Sequence, residues 1–101
     1  MVTSKERSLL RSLGNELEPI ITVGKAGVND NIVMQLGEAL TARELVKGRV
    51  LPHTEHQVIP VAADLVARTN SEVILTIGRN FLIYRAPKEG IPSKLNWSRE
   101  D

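Results

Sequence analysis

Four consecutive residues, Gly24-Lys25-Ala26-Gly27, form the segment of this chain whose types and spacing best fit a binding site. They lie between a predicted strand and a predicted helix, where backbone amides and the positive end of a helix can meet a phosphate group. Glycines allow a ligand to approach the backbone closely, and Lys25 adds a mobile positive charge. The segment lacks the spacing of a mononucleotide P-loop and the third glycine of a dinucleotide-binding motif. Two interpretations therefore stay open, a phosphate-binding loop and a tight turn that requires glycine.

Other basic residues could surround this segment. Lys47 and Arg49 alternate along a predicted strand, so their side chains share one face. Arg79 lies in a predicted hairpin turn, and Arg85 follows the last predicted strand. Taken singly, such charges are typical of solvated strand ends. If they converge near Lys25, they form a basic surface beside a loop that can bind phosphate.

Catalytic and metal sites find no comparable support. His53 and His56 are the only histidines, and zinc sites use three or four ligands, so we interpret both as surface residues near a helix cap. The chain has no cysteine, which excludes disulfides, thiolate metal sites and cysteine nucleophiles. It also has no Gly-x-Ser-x-Gly motif. We therefore expect a protein that is not an enzyme and has no metal or cofactor.

Length and composition indicate one small globular domain. The chain has 101 residues, of which 42% are hydrophobic and 25% charged. Thirteen Lys and Arg against twelve Asp and Glu leave a net charge of +1, so binding to nucleic acid would depend on local clusters of cations. Phe81, Tyr84 and Trp97 are the only aromatic residues, too few for a typical base-stacking platform. The charged N-terminus and the lack of a long apolar run predict a cytoplasmic protein.

The first part of the chain predicts two helices around a short strand. Thr3 and Glu6 have the spacing of a capping box that begins the first helix, and Gly14 is its expected C-cap. A strand is predicted over 20–23. The second helix is predicted to follow the glycine segment, with Asn29 or Asp30 at its N-cap.

The remaining pattern completes an αβαβαββ order. A strand is predicted over 45–51, and a third helix is predicted to begin at a second capping box formed by Thr54 and Gln57. Two further strands, over 72–78 and 80–85, are expected to form a hairpin. This order predicts a single α/β domain with a four-stranded mixed sheet packed by helices. We place the domain at residues 1–87 and a C-terminal tail at 88–101.

The chain resembles the CRM domain (chloroplast RNA splicing and ribosome maturation), in its stand-alone bacterial YhbY-like form. The resemblance runs from about residue 8 to residue 87, and its specificity lies in the order and spacing of several short segments. These segments are 10–14 (LRSLG), 19–28 (PIITVGKAGV), 43–47 (RELVK), 68–69 (RT) and 77–85 (IGRNFLIYR). Gly48 stands where the family usually has a β-branched residue, which predicts a weakened strand or a bulge.

The resemblance implies a fold similar to the C-terminal domain of bacterial translation initiation factor three. It also implies RNA binding through a Gly-x-x-Gly loop comparable to that of KH domains, which clamps nucleotide backbone. Stand-alone bacterial members associate with precursors of the large ribosomal subunit, so the expected partner is large-subunit ribosomal RNA in pre-ribosomal particles, bound by a monomer. The expected RNA-binding residues are Gly24, Lys25, Ala26, Gly27, Lys47, Arg49, Arg79 and Arg85. The alternative is a protein-interaction adaptor that docks on a ribosomal protein or an assembly factor.

Overall fold

All seven predicted elements are present in the computed structural model, which describes residues 2–97. In chain order they are α1 (Ser4–Gly14), β1 (Ile21–Val23), α2 (Asp30–Arg43), β2 (Leu45–Val50), α3 (Val58–Thr69), β3 (Glu72–Ile77) and β4 (Asn80–Tyr84). The four strands form one sheet in the order β1-β2-β4-β3. β1 and β2 are parallel, and the other two pairs are antiparallel. The predicted αβαβαββ fold with a mixed sheet is confirmed, and the observed strands end within one residue of the predicted ends.

Both faces of the sheet are covered. The side chains of strand β2 alternate between the two faces, and apolar residues point to both. Val46 and Val50 are buried in a core with α2 and α3, whereas Leu45 packs with Leu10 of α1 on the other face. The two helices α2 and α3 both begin at the end of the sheet where β1 and β2 end, because each follows one of these parallel strands.

The local helix signals at the start of the chain are confirmed. The Thr3 N–H donates to Glu6 Oε1 at 3.0 Å and the Glu6 N–H donates to Thr3 Oγ1 at 3.1 Å, which completes the capping box. Asn29 is the N-cap of α2, and its Oδ1 accepts the Ile32 N–H at 2.9 Å. These short-range contacts fix where two of the three helices begin.

Two other helix-end predictions are wrong. Gly14 is the last residue of α1, and the C-cap is Asn15 in a right-handed conformation. A Cβ atom at Gly14 would lie 2.5 Å from Leu82 Cδ2, so the glycine allows close packing on the sheet. The second predicted capping box is absent, because the side chain of Gln57 caps nothing and Thr54 Oγ1 donates instead to the Leu51 carbonyl.

Gly48 neither breaks nor bulges its strand. β2 pairs without interruption with both neighbours, and the irregularity in the sheet lies in β3 between Val73 and Leu75. A Cβ atom at Gly48 would lie 2.4 Å from Phe81 Cε1, on the facing strand. Glycine is therefore present because the buried phenyl ring occupies the space of a side chain.

The described part of the predicted tail packs on the domain. The buried carboxylate of Glu44 accepts hydrogen bonds from Ser93 Oγ at 2.7 Å and from the Lys94 N–H at 2.8 Å. Trp97 meets Tyr84 edge to face, with 5.8 Å between ring centroids. The acidic residues 100–101 of the tail lie outside the described part of the chain, and the domain boundary at residue 87 stays a prediction. Between residues 2 and 97 no helix combines the length and apolarity needed to cross a bilayer.

Candidate functional site

The Gly24-Lys25-Ala26-Gly27 segment forms a β-turn directly after β1. The Gly27 N–H donates to the Gly24 carbonyl at 2.9 Å, and Lys25 and Ala26 are exposed at the tip. Gly27 is buried with a φ of +74°, in the left-handed region that favours glycine. The segment is therefore a tight turn that requires glycine at position 27 and exposes Lys25 at its tip, and the phosphate-binding interpretation stays a prediction.

The loop between β2 and α3 supports this turn from one side. His56 Nε2 lies 2.9 Å from the carbonyl oxygen of Lys25, and a Cβ atom at Gly27 would lie 2.8 Å from His56 Cε1. His53 is exposed as expected, and His56 is partly exposed next to the N-cap of α3, but its ring also contacts the turn. Sequence reasoning missed this contact because it joins residues that lie 31 positions apart.

Two helix N-termini lie at the same end of the sheet as the turn. Unsatisfied N–H groups give a helix N-terminus a partial positive charge, which favours nearby anions. Asp30 in the first turn of α2 offsets part of this charge, whereas the first turn of α3 has no acidic residue. The backbone field at this end of the sheet is therefore favourable for phosphate.

Arginine side chains lie at this end as well. The Val50 N–H, at the end of β2, donates to the Arg79 carbonyl at 2.8 Å, which holds the β3–β4 turn beside that strand. Arg49 pairs with Asn80 in the next strand, and both arginines are exposed. We define the cationic end of the sheet as Lys25, Arg49 and Arg79. Three of the predicted site residues are thus brought to one end of the sheet by backbone pairing.

Lys47 lies next to this group on the same face of β2 as Arg49. It is partly buried and lines a shallow groove on the α1 side of the sheet. The exposed Arg11 of α1 lines the same groove, together with Ile77 and Asn80. Sequence reasoning did not identify Arg11 as a site residue, because nothing local indicates which strands a helix will cover.

Arg85 lies at the opposite end of the sheet, away from the other predicted cations. Its Nη1 donates to the Thr69 carbonyl at 2.9 Å, and its Nη2 donates to the Gly37 carbonyl and to Thr41 Oγ1, both at 2.8 Å. The guanidinium therefore ties α2 to α3 with a set of charge-assisted hydrogen bonds. The predicted grouping of Arg85 with the turn is corrected by this placement.

The histidines and acidic residues do not assemble into a metal site in the described part of the chain. No group of three or more such side chains between residues 2 and 97 is placed to hold a metal ion. His56 faces the backbone of the turn, so its Nε2 is already engaged.

The chain belongs to the CRS1 / YhbY (CRM) domain family, whose model matches residues 2–85. The probable RNA-binding protein YqeI of Bacillus subtilis is 45% identical over 89 residues, which cover 88% of this chain and 93% of that protein. The chloroplastic group IIA intron splicing facilitator CRS1 of Zea mays is 22% identical over 96% of this chain, which corresponds to 14% of that protein.

A solved structure supports the same relationship. The solution structure of SAV1595 from Staphylococcus aureus, a hypothetical protein described as a candidate RNA-binding protein, matches with a TM-score of 0.75 and 37% identity. The match covers 90% of this chain and 95% of that chain. The sequence matches therefore show the family, and the match to a solved structure shows the fold.

Proposed function

We propose that this protein is a non-catalytic RNA-binding protein whose ligand is ribosomal RNA in precursors of the large ribosomal subunit. The observation that carries the proposal is the exposed glycine turn at the cationic end of the sheet, between the N-termini of α2 and α3. RNA-binding relatives in the same family support the choice of RNA. The resemblance to stand-alone bacterial members supports the ribosomal ligand.

The proposed contacts are to the RNA backbone. The backbone amides of the exposed tip residues Lys25 and Ala26, together with the lysine side chain, would hold one phosphate, while Lys47, Arg49 and Arg79 attract the neighbouring phosphates. Base stacking contributes little in this proposal, because Phe81 and Tyr84 are only 1% and 3% exposed. Binding is therefore strongly dependent on salt and weakly dependent on sequence.

The experiment for the ribosomal ligand is co-sedimentation of the tagged protein through a sucrose gradient of bacterial lysate. Wild-type protein is expected in the fractions of precursor large subunits, and Lys25→Glu is expected to remain at the top. Lys25 is exposed at the tip of the turn, so the variant retains its fold. Wild-type protein that stays at the top of every gradient would contradict the ribosomal proposal.

The protein-adaptor alternative is favoured by one observation, the exposed apolar side chains beside the groove and on α3. Ile77 is 65% exposed and Ile59 is 67% exposed. Such side chains can anchor a protein partner. Co-sedimentation that survives both ribonuclease and high salt would support the adaptor, whereas loss of co-sedimentation under either treatment supports RNA binding.

A further inference from the structure

We propose that His56 is a positioning residue that selects the conformation of the Gly24–Gly27 turn that binds phosphate. This inference rests on the proposed RNA-binding function and adds a residue outside the turn to it. The imidazole of His56 forms a hydrogen bond with the backbone of the turn.

The direction of that hydrogen bond follows from its partners. A carbonyl oxygen can only accept, so Nε2 of His56 carries the hydrogen and donates to the Lys25 carbonyl at 2.9 Å. Both the Nε2-protonated neutral ring and the imidazolium can make this bond. In a trans peptide the C=O and the next N–H point in opposite directions. The bond therefore directs the Ala26 N–H away from His56.

The peptide that His56 holds is the one that distinguishes the two common turn types. In a four-residue turn, a flip of the central peptide between the second and third residues converts type I to type II. Type II requires a positive φ at the third residue, and Ala26 is not among the positive-φ residues of the described chain. His56 and the Cβ of Ala26 thus favour the same orientation of the Lys25–Ala26 peptide.

The second contact of His56 explains the second glycine of the turn. A Cβ atom at Gly27 would lie 2.8 Å from His56 Cε1 and 3.0 Å from Nε2, in addition to the strain of a positive φ. Gly27 therefore leaves room for the imidazole to reach the Lys25 carbonyl. A substitution at Gly27 would displace the ring as well as strain the backbone.

His56 is itself held by the backbone at the ends of the parallel strands. The backbone N–H of His56 donates to Thr54 Oγ1 at 3.3 Å, and Thr54 Oγ1 donates to the Leu51 carbonyl at 3.1 Å. The Leu51 N–H in turn donates to the Val23 carbonyl at 2.9 Å. This series of hydrogen bonds anchors the backbone of His56 to the ends of β1 and β2, so the imidazole extends to the turn from a fixed position.

The first test compares two substitutions of His56 with a matched control. His56→Leu removes the N–H donor and leaves an apolar side chain in its place. His56→Gln keeps an N–H donor of comparable reach. The control is His53→Asn at the nearby exposed histidine, because asparagine tolerates the φ of +69° at position 53. We expect His56→Leu to weaken binding to single-stranded RNA about fivefold. His56→Gln and His53→Asn should both bind RNA within about twofold of wild type, since the first has an amide N–H donor at position 56 and the second keeps His56 itself.

Two further readouts separate positioning from charge. The dependence of affinity on salt should be unchanged in His56→Leu, because no cationic contact is removed. In the absence of RNA, hydrogen exchange of the Gly27 amide, which donates to Gly24, should be faster in His56→Leu than in His56→Gln. Equal affinity and equal Gly27 exchange in wild type and His56→Leu would overturn the proposal.

A pair of variants at Gly27 provides an independent check. Gly27→Ala should weaken RNA binding more in the wild-type background than in His56→Ala, because part of its effect is displacement of the imidazole. Additive effects would overturn the proposal. If wild type itself showed no RNA binding, the proposed function would fail, and Gly27 exchange would still decide whether His56 holds the turn.

Discussion

The Val50 N–H donates to the Arg79 carbonyl at 2.8 Å, and this hydrogen bond assembles the cationic end of the sheet. It joins the end of β2 to the turn between β3 and β4, so that Arg79 lies beside Arg49 on the adjacent strand. The glycine turn follows β1, the parallel neighbour of β2, at the same end. Cations from three separate parts of the chain therefore lie at one end of the sheet because of strand pairing and not because of their spacing in sequence.

Arg79→Gln is expected to weaken RNA binding without changing stability. Arg79 is exposed, so the free energy of unfolding should stay within about 0.5 kcal/mol of wild type. If Arg79 engages one phosphate of a single strand, the slope of log K against log salt should become shallower by about 0.7. Titration of the variant with labelled RNA at several salt concentrations measures this slope. An unchanged slope would remove Arg79 from the proposed interface.

Arg85→Ala is expected to give the opposite result. The substitution leaves the Thr69 and Gly37 carbonyls without their charged donor and should lower the free energy of unfolding by about 2 kcal/mol. The salt dependence of RNA binding should match wild type at a temperature where the variant is folded. Urea unfolding and RNA titration check the two halves of this prediction. A fully stable variant with a shallower slope would return Arg85 to the interface.

Gly48→Ala is expected to destabilise the protein. On backbone entropy alone alanine would favour the strand, because it loses less conformational freedom on folding than glycine does. The added methyl group would meet the ring of Phe81, and overpacking of this kind costs about 1–3 kcal/mol. Urea unfolding followed by circular dichroism measures the change. The double variant with Phe81→Leu should lose less stability than the sum of the two single variants. Strict additivity would contradict the steric explanation.

Glu44→Gln is expected to loosen the C-terminal segment. The carboxylate of Glu44 accepts two hydrogen bonds, from Ser93 Oγ and from the Lys94 N–H, and an amide accepts them more weakly. Trp97 is the only tryptophan, so its fluorescence reports on this segment directly. The emission should shift to longer wavelength in Glu44→Gln, while Glu38→Gln, an exposed change on α2, the helix that Glu44 directly follows, should leave it unchanged. Identical spectra for all three proteins would show that Glu44 does not hold the segment.

The features that could be predicted from the sequence are the ones that depend on local chemistry. The Thr3–Glu6 capping box and the alternation of Val46 and Val50 follow from contacts within a few residues or from strand geometry. The element order, and hence the sheet, follows from these local patterns and from the family resemblance. The same local patterns predict that Lys25 and Arg49 lie near strand ends, where they could share one basic surface.

The features that could not be predicted depend on contacts between distant parts of the chain. In the sequence, Arg85 and Arg79 look alike, because each is an arginine at the end of a predicted strand. Only the structure shows that Arg85 bonds to Gly37 and Thr69 on two different helices. Judged by propensity alone, Gly48 predicts a bulge. Its actual role depends on the Phe81 ring, whose position is set by the pairing of β2 with β4 and cannot be read from the local sequence. His56 shows no pattern at all, since its partner is a backbone carbonyl 31 residues away.

The most direct test of the proposed function is the affinity for single-stranded RNA as a function of salt, measured for wild type and Lys25→Glu. Four cations on the proposed interface, Lys25, Lys47, Arg49 and Arg79, predict a slope of log K against log salt of about −3 for wild type. Lys25→Glu should bind more weakly at every salt concentration and with a shallower slope. A wild-type slope near zero, or equal binding by the two proteins, would contradict RNA binding through the Gly24–Gly27 turn.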